Sequence, residues 1–356
     1  MLTPRAAWTR VLGQAERLDP GYFALVMATG ALSIALDLLH HERVSLALLA
    51  LDILFYGVLC ALLVLRIARF PRRIAADFTD YARAPGFFTV VAGTCVLGTN
   101  IAVLGGSRGS AAVLWYAGIV LGVVVMYSFF AVVVTRPHKP DLEDGINGAW
   151  LIAAVAAQSI VVLGAVLAPS LAAPAAALFF CLVMWLIGAM LYLSIITLIF
   201  YRLTFVKLTG VTFTPPYWIN MGAVAITTLA GATLVMRAEL SPLLERLLPF
   251  LLGFTLFFWA AATWWIPLLC ILMLWRYAVM RYPFRYEPNY WSMAFPLAMY
   301  TTGTLRLADA LRLDYLAALA GGFLWIAAGV WLVCFGGMMR AIGAGLAQPL
   351  RAGLRE

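Results

Sequence analysis

The chain predicts an all-α polytopic membrane protein with ten transmembrane helices, and three observations point there. Hydrophobic residues make up 64% of it, charged residues only 11%, and the mean hydropathy is +0.97, far from the balance of a soluble domain. Apolar runs near the roughly 20 residues needed to cross a bilayer recur along the whole length. Lysine and arginine collect in alternate connecting segments, as they do when one set of loops is cytoplasmic.

Taken in order, the first span covers residues 21–39. It follows a tail containing Trp8, Glu16 and Asp19 and precedes His40-His41-Glu42, which is no small-residue cleavage site, so it reads as a retained span. Spans 44–65, 86–104, 111–134, 149–167 and 175–200 follow, each bounded by Gly, Pro or charge. The last four cover 217–236, 248–274, 290–305 and 316–339. Residues 1–20 form an N-terminal tail, read either as a short interfacial helix with Trp8, Val11, Leu12 and Ala15 on one side or as a disordered basic segment. Residues 21–340 form the membrane domain and residues 341–356 a C-terminal tail.

Charge supports the count. With the N-terminus inside, only Arg43, Arg108, Arg237, Arg246, Arg306 and Arg312 fall outside, leaving 18 of the 24 Lys and Arg residues in cytoplasmic segments. Ten spans with both termini cytoplasmic, in the inner (cell) membrane, preserve this bias. The net charge of +8 then reflects orientation and contact with anionic lipid and calls for no nucleic acid.

Odd and even spans differ in character. Odd spans carry small or polar residues in mid-membrane, among them Thr29, Gly30, Ser33, Gly93, Thr94, Asn100, Gln158, Asn220, Gly222, Thr228, Ser292 and Gly303. Even spans are longer and rich in Leu, Val, Phe and Trp, which suits lipid. The alternation predicts five helical hairpins with five inner and five outer helices. Gly118 and Gly122 form a G-x-x-x-G pair of the kind that packs helices.

The sequence shows little chemistry. The five cysteines lie in five different spans without paired spacing, and the three histidines lie in loops, so neither a metal cluster nor a disulfide framework is expected. No H-E-x-x-H, nucleophile elbow or phosphate loop occurs. Neither catalysis nor a cofactor is expected. Asp52, near the middle of the second span, is a candidate proton site, although a leucine-rich outer helix favours a hydrogen-bonded structural carboxyl. The ninth span holds Phe295 beside Pro296, whose missing N–H predicts a bend within a bundle or along a pore. The ring either packs against a neighbour or closes a narrow pore by dewetting.

Several segments resemble the tellurite-resistance/dicarboxylate transporter family, which is related to slow-type anion channels and to sulfite and malate permeases. They are Leu18-Asp19-Pro20-Gly21-Tyr22-Phe23 with Met27-Ala28-Thr29-Gly30, Pro85-Gly86-Phe87-Phe88-Thr89 with Ala92-Gly93-Thr94, and Trp150-Leu151-Ile152 with Gln158-Ser159. The others are Thr214-Pro215-Pro216-Tyr217-Trp218-Ile219-Asn220-Met221-Gly222 and the run from Trp291 to Pro296. The resemblance implies five hairpins around a central pore, a homotrimer with one pore per subunit, and channel-like movement of small anions. The anion would be a C4-dicarboxylate, tellurite, sulfite or an inorganic anion, and the phenylalanine that closes the pore would be Phe295. The alternatives are a proton-coupled dicarboxylate carrier on the same fold and, from another class, a non-transporting membrane enzyme or scaffold. Thr29, Gly30, Gly93, Thr94, Gln158, Asn220, Gly222, Thr228 and Ser292 are the expected pore-lining residues, with Phe295 and Pro296 as the gate.

Overall fold

Thirteen α-helices and no strand occur among the described residues, 4–352, of the computed structural model. Residues 1–3 and 353–356, the outermost parts of the two expected tails, lie outside them. In chain order the helices are α1 (Pro4–Arg17), α2 (Ala24–Leu38), α3 (Glu42–Arg69), α4 (Pro71–Thr79), α5 (Phe88–Val103), α6 (Arg108–Thr135) and α7 (Leu142–Gly145). They continue with α8 (Ile152–Leu167), α9 (Pro174–Phe205), α10 (Ile219–Val235), α11 (Pro242–Leu274), α12 (Trp291–Leu311) and α13 (Asp314–Ala352). The tail helix α1 packs on α3, where Arg66 Nε donates to the Glu16 carbonyl at 3.2 Å. No break separates a membrane segment from a C-terminal tail at residue 340, because α13 continues to Ala352.

Nine helical stretches among the described residues are long and apolar enough to cross a membrane, and the protein is a multi-pass membrane protein. The ninth expected span, α12, is not one of them. Its 21 residues extend about 31 Å, but Ser292, Thr301, Thr302, Thr304, Arg306 and Asp309 make it polar. It runs unbroken through Pro296, which sits in the second turn, close to the helix start and not at its middle.

Burial separates the helices into two sets. The stretches containing α2, α5, α8 and α10 are 78–94% buried, whereas those of α3, α6, α9, α11 and α13 are only 22–39% buried. In α12 every residue from Trp291 to Leu305 except Met293 is buried. The inner five close a ring, since α2 packs on α5, α5 on α8, α8 on α10, α10 on α12 and α12 back on α2. Each is also paired with the outer helix that follows it, which makes five hairpins.

Lipid supplies no hydrophobic drive between helices, so close packing and polar contacts must hold the ring. Gly118 and Gly122 do the first, bringing α6 against Cys95 of α5 and Ile160 of α8. Five hydrogen bonds do the second, and each reaches from an outer helix to the inner helix of the next hairpin. Tyr56 on α3 meets Thr94 on α5 at 3.0 Å. Trp115 Nε1 on α6 donates to the Ile160 carbonyl on α8 at 3.0 Å, and Trp185 Nε1 on α9 to the Thr227 carbonyl on α10 at 3.0 Å. Trp259 Nε1 on α11 donates to Thr304 Oγ1 on α12 at 3.0 Å, and Trp331 Nε1 on α13 to Thr29 Oγ1 on α2 at 3.1 Å, closing the circle. Replacing one of these donors by phenylalanine, as in Trp185→Phe, is expected to lower stability by about 0.6–1.7 kcal/mol. Thermal unfolding in detergent measures it, and an unchanged midpoint would remove the bond's contribution.

Each inner helix begins with a 3-10 turn: Pro20–Phe23, Ala84–Phe87, Gly148–Leu151, Pro215–Trp218 and Pro288–Tyr290. Proline at the first positions of four of them suits such a start. Asp19 and Asn147 cap two, accepting from Gly21 N and Ala149 N at 2.8 Å each. The five turns also touch in sequence round a closed collar. Its backbones meet directly: a Cβ on Gly86 would lie 2.7 Å from Gly21 N, and one on Gly148 would lie 2.6 Å from Tyr217 Cα.

Candidate functional site

The collar reveals a repeat that the connecting loops conceal. Pro20, Pro85, Gly148, Pro215 and Pro288 stand at equivalent places in the five turns, at offsets of 65, 63, 67 and 73 residues (20, 85, 148, 215, 288). Two residues later in each turn comes an aromatic: Tyr22, Phe87, Trp150, Tyr217 and Tyr290.

At the opposite end of the ring lies a cavity of about 60 Å³ lined by residues of all five inner helices. They include Ile34, Thr99, Val162, Leu229 and Thr302, whose numbers have the same four offsets (34, 99, 162, 229, 302). One helical turn further out the wall is Val103, Val166, Thr233 and Arg306. Equivalent faces of the five helices therefore converge on one axis. The cavity has room for a few water molecules.

Seven residues back along each helix, about 10.5 Å deeper and nearly on the same face, the equivalent positions are Met27, Ala92, Val155, Gly222 and Phe295. Phe295 is thus the largest side chain of this layer. It is 1% exposed and has no ring partner among the described aromatic contacts. Pro296 seats it against α10, because a Cβ on Gly222 would lie 2.6 Å from Pro296 Cγ.

The cavity wall offers little that binds tightly. Thr99, Thr233 and Thr302 donate their hydroxyls to carbonyls one turn back on their own helices, at 3.0, 2.7 and 3.1 Å. Charge enters at the rim. Arg237 has a buried Nε without a partner, and Arg306 reaches Asp309 Oδ2 at 3.2 Å. A larger hollow of about 560 Å³ lies off the ring, beside Tyr81, Arg136 and Lys139.

Several of the residues singled out by polarity face neighbouring helices. Thr29 accepts from Trp331 of α13, and Thr94 bonds Tyr56 of α3. Gln158 Nε2 donates to the Trp185 carbonyl of α9 at 3.0 Å. Thr228 donates to the Val224 carbonyl at 2.8 Å. A Cβ on Gly30 would meet Asp52 Oδ2 at 2.7 Å and Val96 Cγ1 at 2.8 Å, and one on Gly93 would meet Phe23 and Val26 of the first hairpin. Ser292 is buried in the first turn of α12. Asn220 is buried with both side-chain amide atoms unpartnered, while its carbonyl accepts from Tyr192 at 3.3 Å. Of the expected set, Gly222 and Phe295 stand at equivalent positions of the repeat, seven residues before the cavity wall.

Asp52 is fully buried between hairpins, packed over Gly30, and forms no ion pair among the described residues. Its polar neighbour Asn100 is held by Ser33, whose hydroxyl lies 3.1 Å from Asn100 Oδ1. Ser33 is tied to Ser45 at the start of α3, its Oγ donating to the Ser45 carbonyl at 2.8 Å.

Comparison with known proteins agrees with this architecture. An uncharacterized membrane protein of Mycobacterium tuberculosis is 36% identical over 162 residues, covering 46% of this chain and 82% of its own. An uncharacterized transporter of Methanocaldococcus jannaschii is 24% identical over 328 residues, covering 89% and 93%. A sulfite efflux pump of Arthroderma otae is 23% identical over 345 residues, covering 90% and 89%. Residues 17–339 match the family described as voltage-dependent anion channel. The chain belongs to the voltage-dependent anion channel family, a family of transporters and channels and not of enzymes, whose work is anion transport across a membrane.

Proposed function

We propose that small anions pass along the axis of the five-helix ring, channel-like, with Phe295 as the closing element. The observation that carries this reading is the cavity whose walls come from repeat-equivalent positions of all five inner helices, with Phe295 two turns beneath Thr302 on the same face of α12. In this reading α12 is the tenth span despite its polarity, because its polar groups are shielded by the other helices. Both termini are cytoplasmic, which puts Arg237 and Arg306 at the outer rim and the collar at the inner mouth. The exposed apolar faces of the outer helices meet lipid and the other subunits of a homotrimer. The cargo is a C4-dicarboxylate, tellurite, sulfite or an inorganic anion. We assign Thr29, Thr94 and Gln158 to holding the hairpins together and Gly30 and Gly93 to their close approach, and the path itself to the axial positions.

A wall of engaged hydroxyls and apolar side chains favours passage over capture, so the rim arginines concentrate the anion. With the Phe295→Ala gate open, Arg237→Gln together with Arg306→Gln is expected to reduce anion flux into liposomes about tenfold at low ionic strength. The deficit should shrink as salt screens the rim. Equal flux at low ionic strength would remove the rim from the path.

Asp52 supports a second reading, a proton-coupled carrier on the same ring, because a fully buried carboxyl with no ion pair among the described residues is poised to take and release a proton. Accumulation driven by a pH gradient and lost in Asp52→Asn would favour it over the channel. Flux indifferent to both would exclude it.

A further inference from the structure

Arg66, Arg202 and Arg276 are buried arginines at the collar ends of three outer helices, in or just after α3, α9 and α11. Two of them are satisfied. Arg66 Nη1 pairs with Asp77 Oδ2 at 2.7 Å, and Arg202 donates to the Glu143 carbonyl at 2.9 Å and to the Tyr217 hydroxyl. Arg276 is different: it is 1% exposed, and its Nε and Nη1 have no hydrogen-bond partner. No carboxylate forms an ion pair with it among the described residues. That includes Glu287, on the same loop.

The backbone holds it there deliberately. A π-helical turn, Trp275–Val279, ends α11, and Met280 N donates to the Trp275 carbonyl at 2.9 Å. Arg281 then takes a left-handed conformation with φ 51°, and Tyr282 N returns to the Arg276 carbonyl at 3.1 Å. The reversal lays the Tyr282 ring over the guanidinium, 4.1 Å from its carbon, with the Tyr277 ring at 5.4 Å. Stacking covers the face of the guanidinium and leaves its edges to meet an acceptor in the plane. Tyr290, the last residue of the turn that leads into α12, lies within electrostatic reach of the same charge. A buried cation without an ion-paired carboxylate is strongly disfavoured, and one with unfilled N–H groups more so.

We propose that Arg276 is the centre of an oxyanion-binding site at the collar end, taking a carboxylate, a sulfur oxyanion or a phosphate group between the turn after α11 and the turn before α12. Its chemistry is that of charge-assisted hydrogen bonds from a preorganised guanidinium. Its test reads binding and not flux, so failure of the site and failure of the axial path are distinguishable.

Purified full-length protein in detergent is titrated with sodium sulfate or sodium malonate, with sodium chloride at matched ionic strength as control, and thermal unfolding is followed. Wild type and Phe295→Ala should both gain a saturable rise in midpoint with the oxyanions. In Arg276→Gln the concentration for half effect should rise at least about tenfold, and in a variant of the exposed Arg108 at the start of α6, Arg108→Gln, it should not change. A wild-type midpoint that responds only as it does to chloride, or a response unchanged in Arg276→Gln, overturns the site. In case Arg276→Gln does not fold, wild type is treated with phenylglyoxal and arginine modification is mapped by mass spectrometry. Malonate should slow modification of Arg276 and leave that of the exposed Arg108 unaffected, and equal modification with and without malonate overturns the site. A parallel arm with phosphatidylglycerol in the micelle identifies the source, since protection by the lipid at lower concentration than by malonate assigns the site to a headgroup, and the reverse order assigns it to a soluble anion.

Discussion

Phe295→Ala should turn an occluded protein into a conducting one, with a large rise in anion flux into liposomes and only a modest loss of stability. The two readouts together separate a gate from a core residue. A buried phenylalanine packed into a core costs about 3–5 kcal/mol on truncation to alanine. Phe295 lies in the buried hydrophobic core but has no aromatic partner among the described residues, and the equivalent positions around it include Ala92 and Gly222. Removing the ring should therefore open space along the axis more than it breaks packing. Each 1.4 kcal/mol of steric and dewetting barrier that disappears raises flux about tenfold. A destabilised protein that conducts no better than wild type would identify Phe295 as packing.

Gly148→Ala should sharply reduce the yield and thermal stability of the folded protein, because the collar leaves no room for a methyl group. The added carbon would lie 2.6 Å from Tyr217 Cα and closer still to the Pro216 carbonyl oxygen. Both are backbone atoms of the fourth turn, so no side-chain rotation relieves the clash. Overpacking typically costs about 1–3 kcal/mol, and more where the backbone itself must move. Gly57 and Gly253, with nothing within 4 Å of an added Cβ, are the controls. There alanine should raise stability by up to about 1 kcal/mol through helix propensity alone. Equal behaviour of all three variants in thermal unfolding would mean that the collar is not closely packed.

The two rings of helices were legible in the sequence because lipid and protein surroundings select different residues. Leucine-rich runs marked α3, α6, α9, α11 and α13, and small or polar residues marked the buried five. What polarity could not convey was direction around each helix. Thr29 and Thr94 are polar because indole and phenol donors on outer helices need acceptors, and those outer helices lie away from the axis. The axial positions include Ile34, Val162 and Leu229, which no search for polar pore residues would select. The fivefold repeat was present as an aromatic two residues into each lead-in turn, but connections of unequal length shift its period between 63 and 73 residues. Arg276 entered only as one of many positive charges, since nothing in the sequence distinguishes it from the paired Arg66 and Arg202. Phe295 and Pro296 drew notice through the proline, and the register with Thr302 supplies the reason to expect the ring on the axis.

Cysteine accessibility in the Phe295→Ala background tests the axial path most directly. Thr302→Cys, treated from outside with a membrane-impermeant charged thiol reagent, should lose most of its anion flux. Thr29→Cys, whose side chain is turned toward Trp331, should keep it, as should Phe295→Ala with its native cysteines alone. Block at Thr29→Cys with none at Thr302→Cys would contradict a path along the axis of the ring.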